Sequence, residues 1–265
     1  MDLADRGQVR ASAAEIYDRF FVPALFGAWP SQVLDAADVK MGDRVADVGC
    51  GTGIVAVEAA RRVGPSGTVT GIDPNAGMLA VARAKDPSIH WIAALAEELP
   101  LEDGSVDALT CQFAMMFFTD QPRALTEFAR VLRPGGRAAI ATWAALDATP
   151  GYAVMVDLLR ELFGERHARA LAAPYSLGDA RQLTELISQE FADVAVEQLL
   201  GRARFPSIEA WVHTDVRGWT LADMIDDAQY QQLLEAARTR LARFTDARGA
   251  VTFDAPALIA TATRA

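Results

Sequence analysis

Two rhythms of apolar residues alternate along this chain. Short unbroken apolar runs lie at 44–48, 68–72, 89–95, 107–113 and 137–143, each about the length of a buried strand. Between them, apolar positions recur at helical spacing and end at backbone breakers. The stretch after residue 53 carries Val55, Val57, Ala59 and Ala60 and stops at Gly64-Pro65. Asp120 predicts an N-cap before Pro122. Leu125, Phe128, Ala129 and Leu132 then line one face, closed by Arg133-Pro134-Gly135-Gly136. Strand and helix signals in strict alternation predict a doubly wound, parallel α/β sheet.

After Trp143 the rhythm changes. The spacing predicts amphipathic helices over 151–163 and 179–191, the second on Leu183, Leu186, Ile187 and Phe191. A strand is expected at about 192–199 and helix again over 207–244, with Trp211 and Trp219 near its start. Runs at 251–253 and 258–263 are expected to close the sheet. With no repeat, low-complexity tract or linker, residues 1–265 are expected to form one domain. Its parts are a helical cover (1–40), a core (41–145) and helical insertions forming a lid (146–190 and 205–250).

The chemistry concentrates in Val45-Ala46-Asp47-Val48-Gly49-Cys50-Gly51-Thr52-Gly53, with Gly71-Ile72-Asp73 one βα unit later. Three alternating glycines between a strand and a helix let a ligand lie on bare peptide groups. An acid about twenty residues on, ending the next strand, suits a ribose with free hydroxyls. The spacing is not that of a dinucleotide site: the pattern is G-x-G-x-G, with Ile54 where a third spaced glycine would stand. No Lys follows the glycines, so a P-loop fails too. A nucleoside without phosphate fits.

Composition narrows the partners. A hydrophobic content of 51% over 265 residues supports a large core, and a net charge of -10 makes nucleic acid and anionic membranes poor partners. Cys50 and Cys111 have neither metal-ligand nor disulfide-framework spacing, so no metal is expected. The acidic start Met1-Asp2-Leu3-Ala4-Asp5-Arg6 does not read as a signal peptide, and no apolar run reaches membrane-span length. The expectation is a cytoplasmic protein, with homodimerisation left open.

Four segments, in order, resemble the class I S-adenosylmethionine (SAM) dependent methyltransferases over roughly residues 40–145. They are the glycine loop 47–53, the segment Gly71-Ile72-Asp73-Pro74-Asn75-Ala76-Gly77-Met78-Leu79, Ala96-Glu97-Glu98-Leu99-Pro100-Leu101, and Arg130-Val131-Leu132-Arg133-Pro134-Gly135-Gly136. The resemblance implies a Rossmann-like, seven-stranded sheet whose last strand is antiparallel. It also implies methyl transfer from SAM to a small-molecule acceptor (O, N or C) by in-line displacement, leaving S-adenosylhomocysteine (SAH). It places Gly49, Cys50 and Gly51 against the methionine part, Asp73 on the ribose, and Pro74 and Met78 on the adenine. Ala96 and Glu97 fall beside the ring, Gln112 near the amino-acid end, and Tyr17 on a covering helix. The family often has an Asp before the Ala-Glu, facing the adenine amine; here that residue is Leu95. A non-catalytic SAM or SAH binder would share the whole cofactor half.

Several residues carry two readings. Asp73 either holds a ribose or caps the helix at 75–84. Asp47, expensive to bury unpaired, is expected to bond loop N–H groups. Met116 and Phe117, in Met115-Met116-Phe117-Phe118 after the fourth strand, either fill core or wall an acceptor pocket with Phe21 and Trp211. His213 sits near acids and aromatics in the lid and is the candidate general base, or else a helix residue bonded to Asp215 or Glu209. Tyr175 and Arg217 are weaker candidates for substrate contacts.

Overall fold

The computed structural model describes residues 14–218 and 220–265; Trp219, singled out above, lies outside them. The five early runs form β1 (Arg44–Val48), β2 (Thr68–Ile72), β3 (His90–Ile92), β4 (Val106–Gln112) and β5 (Leu132–Trp143). Later come β6 (Ala192–Leu199), β7 (Arg202–Phe205), β8 (Val251–Asp254) and β9 (Ala257–Thr263). Seven of them make one sheet in the order β3-β2-β1-β4-β5-β9-β6. β3 to β5 pair in parallel, and β9 runs antiparallel to both neighbours. The expected Rossmann-like sheet with its antiparallel last strand is present.

Helices cover both faces, as a parallel sheet with apolar residues on both sides requires. The chain passes through a helical turn at Ala14–Ile16 into α1 (Tyr17–Phe26), followed by α2 (Pro30–Ala36). α1 is wound more loosely than an α-helix. Gly27 N–H donates to the Val22 carbonyl (2.7 Å), five residues back. α3 (Ile54–Val63), α4 (Ala76–Lys85) and α5 (Gln121–Val131) are the crossover helices between early strands. In α5 the Asp120 carboxylate caps Arg123 N–H at 3.0 Å, as the sequence predicts. Ala124, Leu125, Phe128 and Val131 are fully buried. Each of the larger apolar side chains contributes roughly 1.5–3 kcal/mol by leaving water.

The later helices are α6 (Pro150–Phe163), α7 (Glu165–Ala172), α8 (Ala180–Ile187), α9 (Ile208–Arg217) and α10 (Asp227–Arg240). Two expectations are corrected here. The helix expected over 207–244 is two helices, because the chain turns at Gly218 and Asp226 starts α10 through a capping box with Gln229. The run at 251–253 does not close the main sheet. It pairs antiparallel with β7, from Arg202↔Asp254 to Phe205↔Val251. β7 has only four residues, alternating exposed Arg202 and Arg204 with buried Ala203 and Phe205, too short a pattern to stand out in the sequence.

The strand order reverses between β1 and β4, since β2 and β3 lie to one side and β5 to the other. Crossovers leave in opposite directions there, and a crevice opens at the carboxyl ends of the two strands. The candidate chemistry gathers at that point.

Candidate functional site

The glycine loop leaves β1 with Gly49, Gly51 and Gly53 all at positive φ (70°, 53° and 82°). Gly49 and Cys50 N–H both donate to the Ile72 carbonyl (2.8 and 3.0 Å), which ties the loop to the end of β2. A Cβ at Gly49 would lie 2.3 Å from Ala114 Cβ, and one at Gly53 would lie 2.4 Å from the Trp91 ring. Those two glycines are required by protein neighbours. Gly51 differs: a Cβ there would meet nothing within 4 Å, because its open side faces the crevice.

Asp73 continues from β2 directly beneath. Its Oδ2 accepts from Gly51 N–H (2.9 Å) and its Oδ1 from Asn75 N–H (2.8 Å). The helix-cap alternative for Asp73 is removed, because Asn75 caps α4 instead. The Asn75 Oδ1 accepts from Gly77 and Met78 N–H at 2.9 and 3.1 Å. Burial raises the Asp73 carboxyl above its usual range, opposed by those two backbone bonds. Each oxygen keeps further accepting capacity beyond its single backbone bond.

Asp47 is only 1% exposed. Its partners are the Thr110 hydroxyl on β4 (2.9 Å) and Ala56 N–H in the first turn of α3 (3.1 Å), not the glycine loop as expected. Burial pushes its carboxyl up to about 7. It joins β1, β4 and α3 below the loop and so sets where the loop starts.

The crevice encloses about 1110 Å³ of non-atom space, mouth included. Every residue assigned above to cofactor binding lines it: Tyr17, Gly49, Cys50, Gly51, Asp73, Pro74, Met78, Ala96, Glu97 and Gln112. Gln112 Oε1 is buried there with no hydrogen-bond partner among the described residues. Glu97 stands at the crevice with Oε1 accepting from Thr119 and Asp120 N–H (2.7 and 3.1 Å), bracing the loop before α5. Leu95, also lining the crevice, is 54% exposed. The Cys50 and Cys111 thiols are pushed up by burial, which keeps them protonated and unreactive.

The Arg130 motif acts on this site from outside. Its guanidinium donates to the Leu99 and Leu101 carbonyls (2.9 and 2.7 Å) and to Glu127 (2.7 Å). Glu127 in turn accepts from Leu99 N–H at 2.8 Å. The segment after Ala96 is therefore stapled to α5, which explains why the two motifs occur together.

Of the four residues expected in an acceptor pocket, Phe117 lines the crevice and the others do not. Phe21 is fully buried beneath Tyr17, ring centroids 5.7 Å apart. Met116 packs into the core cluster. Trp211 is buried against Phe205, Tyr152 and Phe253, in the layer formed by the β7–β8 pair. His213 lies on the exposed side of α9, its ring edge toward Phe20 at 6.3 Å, and does not line the crevice. Neither bond expected for it forms as written: Asp215 accepts from the Tyr152 hydroxyl (3.0 Å) and Glu209 pairs with Arg238. Tyr175 faces a separate small cavity with Tyr152 and Trp143, and Arg217 pairs with Asp227.

The sequence reading missed Phe26 and Phe113, which with Phe117 and Phe118 complete an aromatic wall. Phe113 is held at φ 53°, costly for a bulky side chain, and stacks on Trp143 at 3.9 Å with the rings 11° apart. No sequence signal marks a strained aromatic. The only available clue was position, directly after the strand that ends at the switch point.

The same stretch of chain is similar to known proteins. Residues 46–140 match the family model described as a methyltransferase domain. Within that stretch lie the glycine loop, Asp73 and the Arg130 motif of the chain. It is 38% identical over 118 residues to the 2-phytyl-1,4-naphtoquinone methyltransferase of Trichormus variabilis, covering 42% of this chain and 52% of that protein. To the ubiquinone/menaquinone biosynthesis C-methyltransferase UbiE of Xanthomonas axonopodis pv. citri it is 39% identical over 143 residues, 51% of this chain and 56% of the relative. The chain thus spans about half the length of the curated relatives it matches. A putative methyltransferase from an antibiotic biosynthesis pathway of Anabaena variabilis shares the fold, with a TM-score of 0.66 at 17% identity over 90% of this chain and 97% of that one.

Proposed function

We propose that this chain transfers the methyl group of SAM to an apolar small-molecule acceptor and releases SAH. The observation that carries the proposal is Asp73. It is a partly desolvated carboxylate fixed by two backbone N–H groups, beside a glycine whose open side faces the same crevice. The residues present fit the cofactor. Asp73 would accept from both ribose hydroxyls, and Pro74 and Met78 would line the adenine. The unpartnered Gln112 Oε1 would accept from the amino-acid ammonium. Bound there, SAM supplies a methyl already activated by its sulfonium; the acceptor's bond to carbon forms as the sulfur–carbon bond breaks.

The protein's own task is then alignment and exclusion of water. Phe26, Phe113, Phe117 and Phe118 form a wall suited to an apolar ring, the kind of acceptor that the relatives' names give, a phytyl-naphthoquinone or the ubiquinone and menaquinone pathway. His213 is left out of proton transfer, since it is exposed on α9 and does not line the crevice. A base is needed only for an acceptor that keeps its proton at working pH. A cytoplasmic location goes with this reading. Among the described residues no helix is long and apolar enough to cross a membrane.

Thermal melting tests the assignment. SAH at saturating concentration is expected to raise the melting temperature by mass action, while NAD and ATP leave it unchanged. No shift with SAH, in protein freed of carried-over ligand, would remove the cofactor assignment.

A further inference from the structure

Lys85, the last residue of α4, reaches away from its own helix. Its ammonium donates to the Thr52 carbonyl (2.9 Å) and to the Thr52 hydroxyl oxygen (3.3 Å) in the glycine loop. It also forms an ion pair with Asp18 on α1. The Lys85 and Asp18 side chains are 29% and 25% exposed, so the ammonium has given up much of its water for these contacts. A lysine serving only the dipole at a helix end would stay hydrated and point into solvent.

Three elements that wall the crevice meet at this one charge. The glycine loop forms its floor, α4 carries Met78, and α1 brings Tyr17 and Phe26 across it. Asp18 directly follows Tyr17, whose ring stacks on Phe26 at 5.3 Å. α1 also buries Phe21, Ala24, Leu25 and Phe26. At the lid end Gly218 lies so close that a Cβ there would come 2.7 Å from Ile16. The start of α1 is therefore gripped by apolar packing against α9's end and by a charged bond to the cofactor-binding core.

We infer that Lys85 is a positioning residue that straps α1 over the crevice and so sets how long the bound nucleoside stays. The inference rests on the SAM reading above and adds the element that retains the cofactor. It touches neither the transferred methyl nor the acceptor, so its effect falls on cofactor release.

The test is the dissociation rate of SAH, followed by displacement with excess SAM in stopped flow. Lys85→Met keeps the length of the side chain and removes the charge; it is expected to speed SAH release about tenfold, in the range for charge-assisted hydrogen bonds in a partly buried setting. Asp18→Asn is expected to speed release as well, and the double variant no more than Lys85→Met alone. Lys85→Arg, which keeps the charge, should restore most of the retention. Release from the unaltered protein should quicken with salt, and release from Lys85→Met should not. Melting temperatures without ligand separate this from a general loss of stability. Release rates within twofold of the unaltered protein in Lys85→Met, or acceleration by Lys85→Met with Asp18→Asn unchanged, would overturn the strap while leaving SAM binding standing. Failure of the unaltered protein to bind SAH would instead overturn the cofactor reading and the strap with it.

Discussion

Asp73 shows how a single side chain can have its role narrowed by its neighbours. Asn75 takes the capping of α4, and the two backbone bonds on Asp73 fix its carboxylate without exhausting it. Asp73→Ala is therefore expected to weaken SAH binding by tenfold or more, since hydrogen bonds to a charged acceptor are worth about 1.5–3 kcal/mol. Asp73→Asn keeps one accepting oxygen and should lose less. Titration calorimetry checks both. Unchanged affinity together with a lower melting temperature would make Asp73 a purely structural residue of the loop. The same scale explains Gly51, whose missing side chain leaves open space toward the crevice, in contrast to Gly49 and Gly53, which make room for Ala114 and Trp91.

At the scale of elements, α9 divides its work by face. Trp211, Val212, Asp215 and Val216 are buried, with Trp211 packed on the aromatic pair contributed by β7 and β8, while His213 is exposed. A helix cannot bury Trp211 and Asp215, one turn apart, and also turn His213, about 200° round from Trp211, toward the same interior. His213→Ala is accordingly expected to leave SAH affinity and methyl-transfer turnover within about twofold of the unaltered protein. A turnover drop of a hundredfold or more at intact SAH affinity would make it the general base after all. The end of α9 instead packs on the start of the N-terminal helical stretch, where Gly218 lies close to Ile16 and Phe21.

Two carboxyls in the interior mark the whole molecule's response to pH. Burial pushes Asp215 up to about 8 and Asp47 up to about 7, both from 3.8. A group whose folded value lies above its unfolded value holds its proton more tightly in the folded state. Its contribution to stability is full below about pH 4 and is lost as pH rises to the folded value. Asp107 is displaced the opposite way by Arg44 and Arg133, and its contribution is lost only in acid, below pH 4. Between pH 5 and 9 the melting temperature is therefore expected to fall as pH rises. Asp215→Asn, which keeps an acceptor for the Tyr152 hydroxyl without a charge to bury, should flatten the upper part of that slope. A melting temperature that stays level or climbs over this range would contradict the burial of these groups in neutral form.

The local signals in the chain were enough to determine the parallel sheet, the glycine loop and the spaced acid, while the family resemblance singled out ten residues that the structure brings to one crevice. Those signals act through the nearest backbone: a glycine at positive φ, a cap, an apolar run, a breaker. They are properties of a few adjacent residues and need no partner to be read. Tertiary structure alone decided that β8 pairs with the four-residue β7, that Phe26 and a strained Phe113 wall the crevice, and that Trp211 and His213 do not enter it. It also decided that Lys85 reaches Asp18, 67 residues away. Each of these depends on which surfaces meet once the layers pack. A pairing across tens of residues is set by shape and burial in the assembled molecule, and short-range periodicity carries no record of it.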